Sequence, residues 1–203
     1  MRREEIKQAL DELGKNRGRN LVVVDFGNVD KWKEGLGWKI DLKQLGNLVK
    51  HFASGKKFLR RFYYGSDYGK REQDGVITMW SAMVLNKARM AGFEIITKPV
   101  KYIVNHDYKT GYVKKGNFDV EMAVDIIKEK DNYDTLILFS GDGDFAYVLK
   151  YIHKSVGKKV IVFGARDHIG KELVDAKNEG VVAKILFAED FEDRLSMDHF
   201  RRR

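Results

Sequence analysis

"LILFSGDGDFA", residues 136–146, decides how this chain is read. An apolar run stops at a Ser-Gly corner and a helix-like pattern begins at once, the strand–turn–helix order of an α/β fold. Gly141, Gly143 and Ala146 match the dinucleotide pattern G-x-G-x-x-[G/A]. Asp142 and Asp144, however, stand where a pyrophosphate would lie, and two carboxylates repel that anion unless a cation bridges them. The corner also falls late in the chain rather than in the first strand–helix–strand unit. A dinucleotide cofactor is therefore rejected, and the two acids are read as holding something positive.

"LVVVDFGN" (21–28) and "KKVIVFG" (158–164) are β-branched runs of the kind found in strands buried on both faces. Further strands are expected in residues 56–65, 93–99, 134–140 and 181–187. Helical spacing marks residues 3–13, with Ile6, Ala9, Leu10 and Leu13 on one side, and residues 41–52, with Asp41 as cap. More helices are expected over 74–91, from Asn117 or Asp119 to about 130, over 142–156 and over 169–180. "KWKEGLGWK" (31–39) reads as a loop, and residues 100–115 as a β-hairpin turning near 107–111. Strands alternating with helices predict a three-layer α/β/α sandwich around a mainly parallel sheet of five or six strands, with the hairpin inserted. The 203 residues suit one domain. Its core is placed at about 21–187, with the helix 3–13 and a basic tail, 188–203, as decorations.

The chain has no cysteine, which excludes disulfide and thiolate chemistry and makes a cytoplasmic setting the default. No apolar run reaches membrane-spanning length, and the start "MRREEIKQAL" is charged rather than signal-like, so no membrane association is expected. The formal net charge is +8, which favours polyanions. Bases gather in "GKKFLRRFYYG", in the hairpin and in the final "FRRR".

In α/β sheets of this kind, ligands bind beyond the carboxyl ends of the strands, where strand order reverses. Asp25 and Asn28 follow the first strand, Asp142 and Asp144 the fourth, and Asp167 the fifth. At 100° per residue, the helix "NFDVEMAVDIIKEK" places Asp119 within an apolar arc of Val120, Met122, Ala123, Val124, Ile126 and Ile127. Asp125 falls outside that arc and reads as a solvated acid. Each acid also has an ordinary reading: Asp142 or Asp119 as a helix cap, Asp25 and Asn28 as turn formers. Several acids converging on one sheet end repel one another, and a hard divalent cation, Mg²⁺ or Mn²⁺, removes that penalty.

"VVVDFGN", "YYG", "KKGNFDVEMAVD" and "LILFSGDGDFAYVLKYIHKSVGKKVIVFG" together resemble the NYN family, the branch of PIN-like nucleases that includes the LabA-like proteins. The resemblance spans residues 21–164. It implies a PIN-like fold and a metal-dependent ribonuclease that hydrolyses phosphodiester bonds with a metal-activated water. Asp25, Asp119, Asp142 and Asp144 match the family's acids as metal ligands, and Asn28 its asparagine beside the first. Asp125 also falls where LabA-like sequences carry an aspartate; it and Ser140 stand as second-rank candidates.

The hairpin interleaves Lys101, Lys109, Lys114 and Lys115 with Tyr102, Tyr108 and Tyr112, so cations can follow a backbone while rings stack on unpaired bases. That favours single-stranded RNA, although charged hairpin edges also serve simply to block aggregation. Arg60, Arg61, Tyr63 and Tyr64 are candidates to extend this surface, on one face of their strand only. The helix 3–13 and the segment after Phe187 are candidates for homodimer contacts. The alternative function is a non-catalytic nucleic-acid-binding or regulatory module on the same fold. Other phosphate chemistries fail locally: a haloacid-dehalogenase-like site wants D-x-D where Asp25-Phe26-Gly27 stands, and "GARDHIGKE" misses P-loop spacing by one residue.

Overall fold

The computed structural model of the chain describes residues 3–15, 19–52, 59–69, 75–106 and 111–196. In chain order, α1 (Arg3–Lys15) leads into β1 (Asn20–Asp25), the short α2 (Phe26–Val29) and α3 (Lys33–Leu36), and α4 (Leu42–Phe52). Then come β2 (Leu59–Ser66), α5 (Met79–Met90), β3 (Glu94–Pro99), and the hairpin strands β4 (Lys101–Val104) and β5 (Tyr112–Lys115). The chain continues through α6 (Asp119–Lys128), β6 (Thr135–Phe139), α7 (Ala146–Lys154), β7 (Lys159–Gly164), α8 (Lys171–Asn178), β8 (Lys184–Phe187) and α9 (Glu192–Leu195). Six parallel strands stand in the order β3-β2-β1-β6-β7-β8, and β4-β5 form a separate antiparallel pair.

The strands alternate their side chains between two helical layers. Val22 and Val24 of β1, with Ile137 and Phe139 of β6, face α1, α4, α5 and α9. Leu21 and Val23, with Leu136 and Leu138, face α6, α7 and α8. Burial on both faces is why β1 and β6 are continuous apolar runs. The chain leaves β1 for one edge of the sheet and returns at β6 for the other. The crevice at the carboxyl ends of β1 and β6 is therefore the topological switch point.

Four local expectations change. Most of the segment 31–39, read as a loop, is taken up by a 3₁₀ turn (Asp30–Trp32) and α3 (Lys33–Leu36), because Trp32 is buried and pins the segment despite Gly35 and Gly37. α5 begins at Met79 rather than 74, since Thr78 is extended and its hydroxyl caps the Ser81 N–H; Asp74 lies outside the described residues. The helix expected at 142 starts as a 3₁₀ turn, Gly143–Phe145, before α7. From Ala188 to Ser196 the chain stays on the core: Phe191 and Leu195 are buried, and the Asp41 N–H donates to the Leu195 carbonyl at 2.8 Å; the final "FRRR" lies outside the described residues.

Candidate active site

Asp25 ends β1 and turns its carboxylate into the crevice. Its Oδ1 accepts the Asn28 N–H, capping α2, and its Oδ2 accepts the Ser140 hydroxyl, each at 3.2 Å. Asn28 spans the switch point: its Oδ1 accepts the indole N–H of Trp32 and the Gly141 N–H, both at 2.9 Å. With both bonds on oxygen, the amide nitrogen is left as the donor it can offer a ligand. Ser140 is fully buried, and its Oγ also accepts the Asp142 N–H at 3.2 Å. Asp142 in turn caps the 3₁₀ turn, its Oδ1 accepting the Asp144 N–H at 3.0 Å. One bonded network thus joins the ends of β1 and β6.

The glycines of this corner serve packing. Gly141 and Gly143 have ordinary φ values. A Cβ on Gly141 would strike the His168 carbonyl, 2.8 Å from its carbon and closer to its oxygen, while one on Gly143 would meet the Glu172 carboxylate. The Gly170 N–H donates to the Gly141 carbonyl at 2.7 Å, locking the two loops together. The G-x-G spacing is accounted for by this close approach.

Asp119 is brought in by α6. Its N–H donates to Asn117 Oδ1 at 2.8 Å, and Phe118 just before it is buried against Tyr63 with ring centroids 5.8 Å apart. Met122 and Ile126 anchor the helix, whereas Val120, Val124 and Ile127 are exposed. The buried line is narrower than the expected arc, and Asp119 and Asp125 flank it on opposite sides. Asp125 is not a solvated acid: it is half-buried, accepts the Tyr63 hydroxyl at 2.7 Å and lies 3.6 Å from the Arg61 guanidinium. β2 supplies those partners, and burial together with the bond to Asp125 pushes the Tyr63 phenol pKa up. Arg61 also meets Glu94 and Glu129, and Tyr64 bonds Ser81. Arg61 and Tyr63 are therefore internal fixtures of the sheet, not an extension of the basic surface.

Asp119, Asp142 and Asp144 each bring one carboxylate oxygen to within 4.8 Å of the others. Among the described residues no lysine or arginine forms an ion pair with these three or with Asp25. Burial, and secondarily the charges of Asp119 and Asp142, push the Asp25 carboxyl up to about 6. Burial, then Asp142 and Asp144, also raise Asp119, against the opposing bond from Asn117. An all-oxygen acidic donor set without an internal cation fits a hard divalent ion. Asp167 is not part of this set and packs over Gly35.

Asp25, Asp119 and Asp142 line a cavity of about 340 Å³ whose rim carries Lys31, Lys114 and Lys115. The hairpin reaches it because Gly65 at the end of β2 and Gly116 after β5 cross closely; a Cβ on Gly116 would lie 3.2 Å from the Gly65 Cα. Asp67 then clamps the hairpin, accepting from the Tyr102 hydroxyl and pairing with Lys114 at 2.5 Å. Tyr112 packs on Tyr102, with ring centroids 5.1 Å apart. Lys101 is exposed on β4 opposite Lys115. Tyr108 and Lys109 lie outside the described residues. Lys31 and Asp67 were not singled out from sequence. Lys31 sits in the segment read as a loop, and the role of Asp67 depends on a hairpin 35 residues away from it in sequence.

A family model for the NYN domain matches residues 19–184, from just before β1 to the start of β8. The chain belongs to the NYN domain family. NYN domains are PIN-like nucleases, which ties the chain to nucleic acids and gives the acidic group a family precedent as a divalent-metal site. It is 25% identical over 162 residues to the low amplitude and bright protein LabA of Synechococcus elongatus, covering 78% of this chain and 80% of LabA. The crystal structure of a protein of unknown function, VPA0982, from Vibrio parahaemolyticus shares the fold. It has a TM-score of 0.62 and 23% identity, over 90% of this chain and 98% of that one. Among the described residues no helix of this NYN protein is long and apolar enough to cross a membrane.

Proposed function

We propose that this NYN protein is a divalent-metal-dependent endoribonuclease acting on single-stranded RNA. The observation that carries the reading is the gathering of three carboxylate oxygens within 4.8 Å at the switch point, with no lysine or arginine paired to them among the described residues, beside a cavity rimmed by lysines. Asp119, Asp142 and Asp144 hold the ion, and Asp25 faces it from β1. Bound Mg²⁺ or Mn²⁺ supplies charge neutralisation at the phosphate and an activated water. The Asn28 amide nitrogen orients the scissile phosphate, Ser140 holds the Asp25 carboxylate in place, and Lys31 and Lys115 attract the flanking backbone.

The test is cleavage of end-labelled single-stranded and hairpin RNA with Mg²⁺, Mn²⁺ or EDTA, comparing wild type with Asp119→Asn and Asp142→Asn. The reading expects internal cuts in the single strand with metal and a loss of about a hundredfold or more in either variant. Equal cleavage by all three proteins, or RNA binding with no cleavage in either metal, rejects it; the latter outcome selects the non-catalytic module.

A further inference from the structure

α7 leaves the acidic group directly, and its outward face is unusual. Tyr147 is 85% exposed and Tyr151 38%. An aromatic ring this open gains nothing from the core and leaves apolar area in water. Tyr147 follows Asp144 by three residues, the spacing that makes neighbours on one helical face. Lys150, Tyr151 and Lys154 continue the same stripe at i+3, i+4 and i+7. The opposite face of α7 is fully committed: Val148, Leu149 and Ile152 are buried. The stripe therefore alternates ring and cation, and successive tyrosines are separated along the axis by about 6 Å, four residues of helical rise. Lys150 and Lys154 both approach Glu179, at 3.0 and 4.0 Å. Pairs this exposed contribute little, so the lysines can turn to a phosphate at small cost.

We propose that this stripe is a track for single-stranded RNA leaving the candidate active site. The nucleotide next to the scissile phosphate stacks its base on Tyr147 and the following one on Tyr151, while Lys150 and Lys154 meet the backbone. The inference rests on the nuclease reading and names how its substrate is held. It places the substrate across the site, with the lysine-bearing hairpin on one side and α7 on the other. A duplex, whose bases are already stacked, gains nothing from the rings, so the track selects unpaired strands.

The experiment is fluorescence anisotropy of a short unstructured fluorescein-labelled RNA in EDTA, where no cleavage occurs, with the matching duplex as control. Tyr147→Ala is expected to weaken single-strand binding by about 5- to 150-fold, the range of one base–aromatic stack. Tyr147→Phe is expected to stay within about twofold of wild type, since the ring does the stacking. Duplex binding is expected to be unchanged, and so is the melting temperature, because the side chain is exposed. Unchanged single-strand binding by Tyr147→Ala overturns the track and leaves the nuclease reading standing. Equal weakening on duplex overturns it as well, as does a wild-type dimer that Tyr147→Ala dissociates, which assigns the face to a second copy. No RNA binding by wild type in EDTA overturns the track, while the nuclease reading stands or falls on the metal-dependent cleavage test.

Discussion

Replacing Asp25 with Asn should make the metal-free protein more stable. In the folded chain the Asp25 carboxyl sits near 6, against an ordinary value of 3.8, because burial and then the charges of Asp119 and Asp142 disfavour its ionised form more than the bonds from Asn28 and Ser140 favour it. The folded value lies above the unfolded one. The native state therefore keeps an extra proton between the two, and stability falls as pH rises through that window. A shift of roughly two units corresponds to at most about 3 kcal/mol lost once pH is above both values. Asn carries no charge, and its Oδ1 can still accept the Asn28 N–H, so it recovers most of that, about 2 kcal/mol. For a chain of this length that is about 4–8 °C in melting temperature. The assay is a thermal melt in EDTA. At about pH 7.5 Asp25→Asn should melt above wild type, and near pH 4, where wild-type Asp25 is protonated in the folded state, the gap should close. Carboxylates remote from the crevice titrate alike in both proteins and cancel in the comparison. Adding Mn²⁺ at the higher pH should raise wild type more than the variant. If Asp25→Asn melts at or below wild type at about pH 7.5, or the gap does not change with pH, the idea of an electrostatically frustrated crevice is refuted.

Gly141→Ala should cost about 3 kcal/mol or more, because its methyl meets the backbone carbonyl of His168, whereas Gly143→Ala should be milder because the Glu172 side chain it meets can swing away; urea melts of both variants check this. Arg61→Ala should destabilise by about 3 kcal/mol, since it leaves Asp125 and Glu129 without their shared cation. Arg19→Ala should cost no more than about 1 kcal/mol, because its pair with Asp134 is solvent-exposed, and the same melts rank the two. Lys31→Ala and Lys115→Ala should each lower the slope of log affinity against log salt for single-stranded RNA by about 0.7; an unchanged slope removes that lysine from the phosphate path.

Much of this arrangement was legible in the sequence because it rests on local patterns. Apolar runs marked β1 and β6, and turn residues at their ends marked where the crevice would open. The placement of Asp25, Asp119, Asp142 and Asp144 was legible for the same reason: Asp25 closes β1, Asp142 and Asp144 lie in the turn after β6, and Asp119 starts α6. What was not legible depends on partners from other elements. Asp125 looked solvated by helical phase, but its surroundings come from Arg61 and Tyr63 on β2. Lys31 reaches the cavity only because buried Trp32 draws a glycine-containing segment into helical turns. The clamp from Asp67 to Tyr102 and Lys114 joins residues with no spacing signal between them.

The capping reading and the metal reading of the acids, which compete in the sequence, are compatible in three dimensions. Asp142 spends Oδ1 on the Asp144 N–H, and Asp25 spends its two oxygens on Asn28 and Ser140. Capping bonds of this kind fix the rotamer of a carboxylate, and a fixed rotamer is what a cation site requires of its ligands. The ordinary bonds therefore hold the charges together against their mutual repulsion, and the raised Asp25 carboxyl reflects its burial first and what remains of that repulsion second. A cap alone would need no second acid nearby. The convergence of Asp119 from a different element onto Asp142 and Asp144 is the feature that capping does not explain, and it is the feature the metal reading requires.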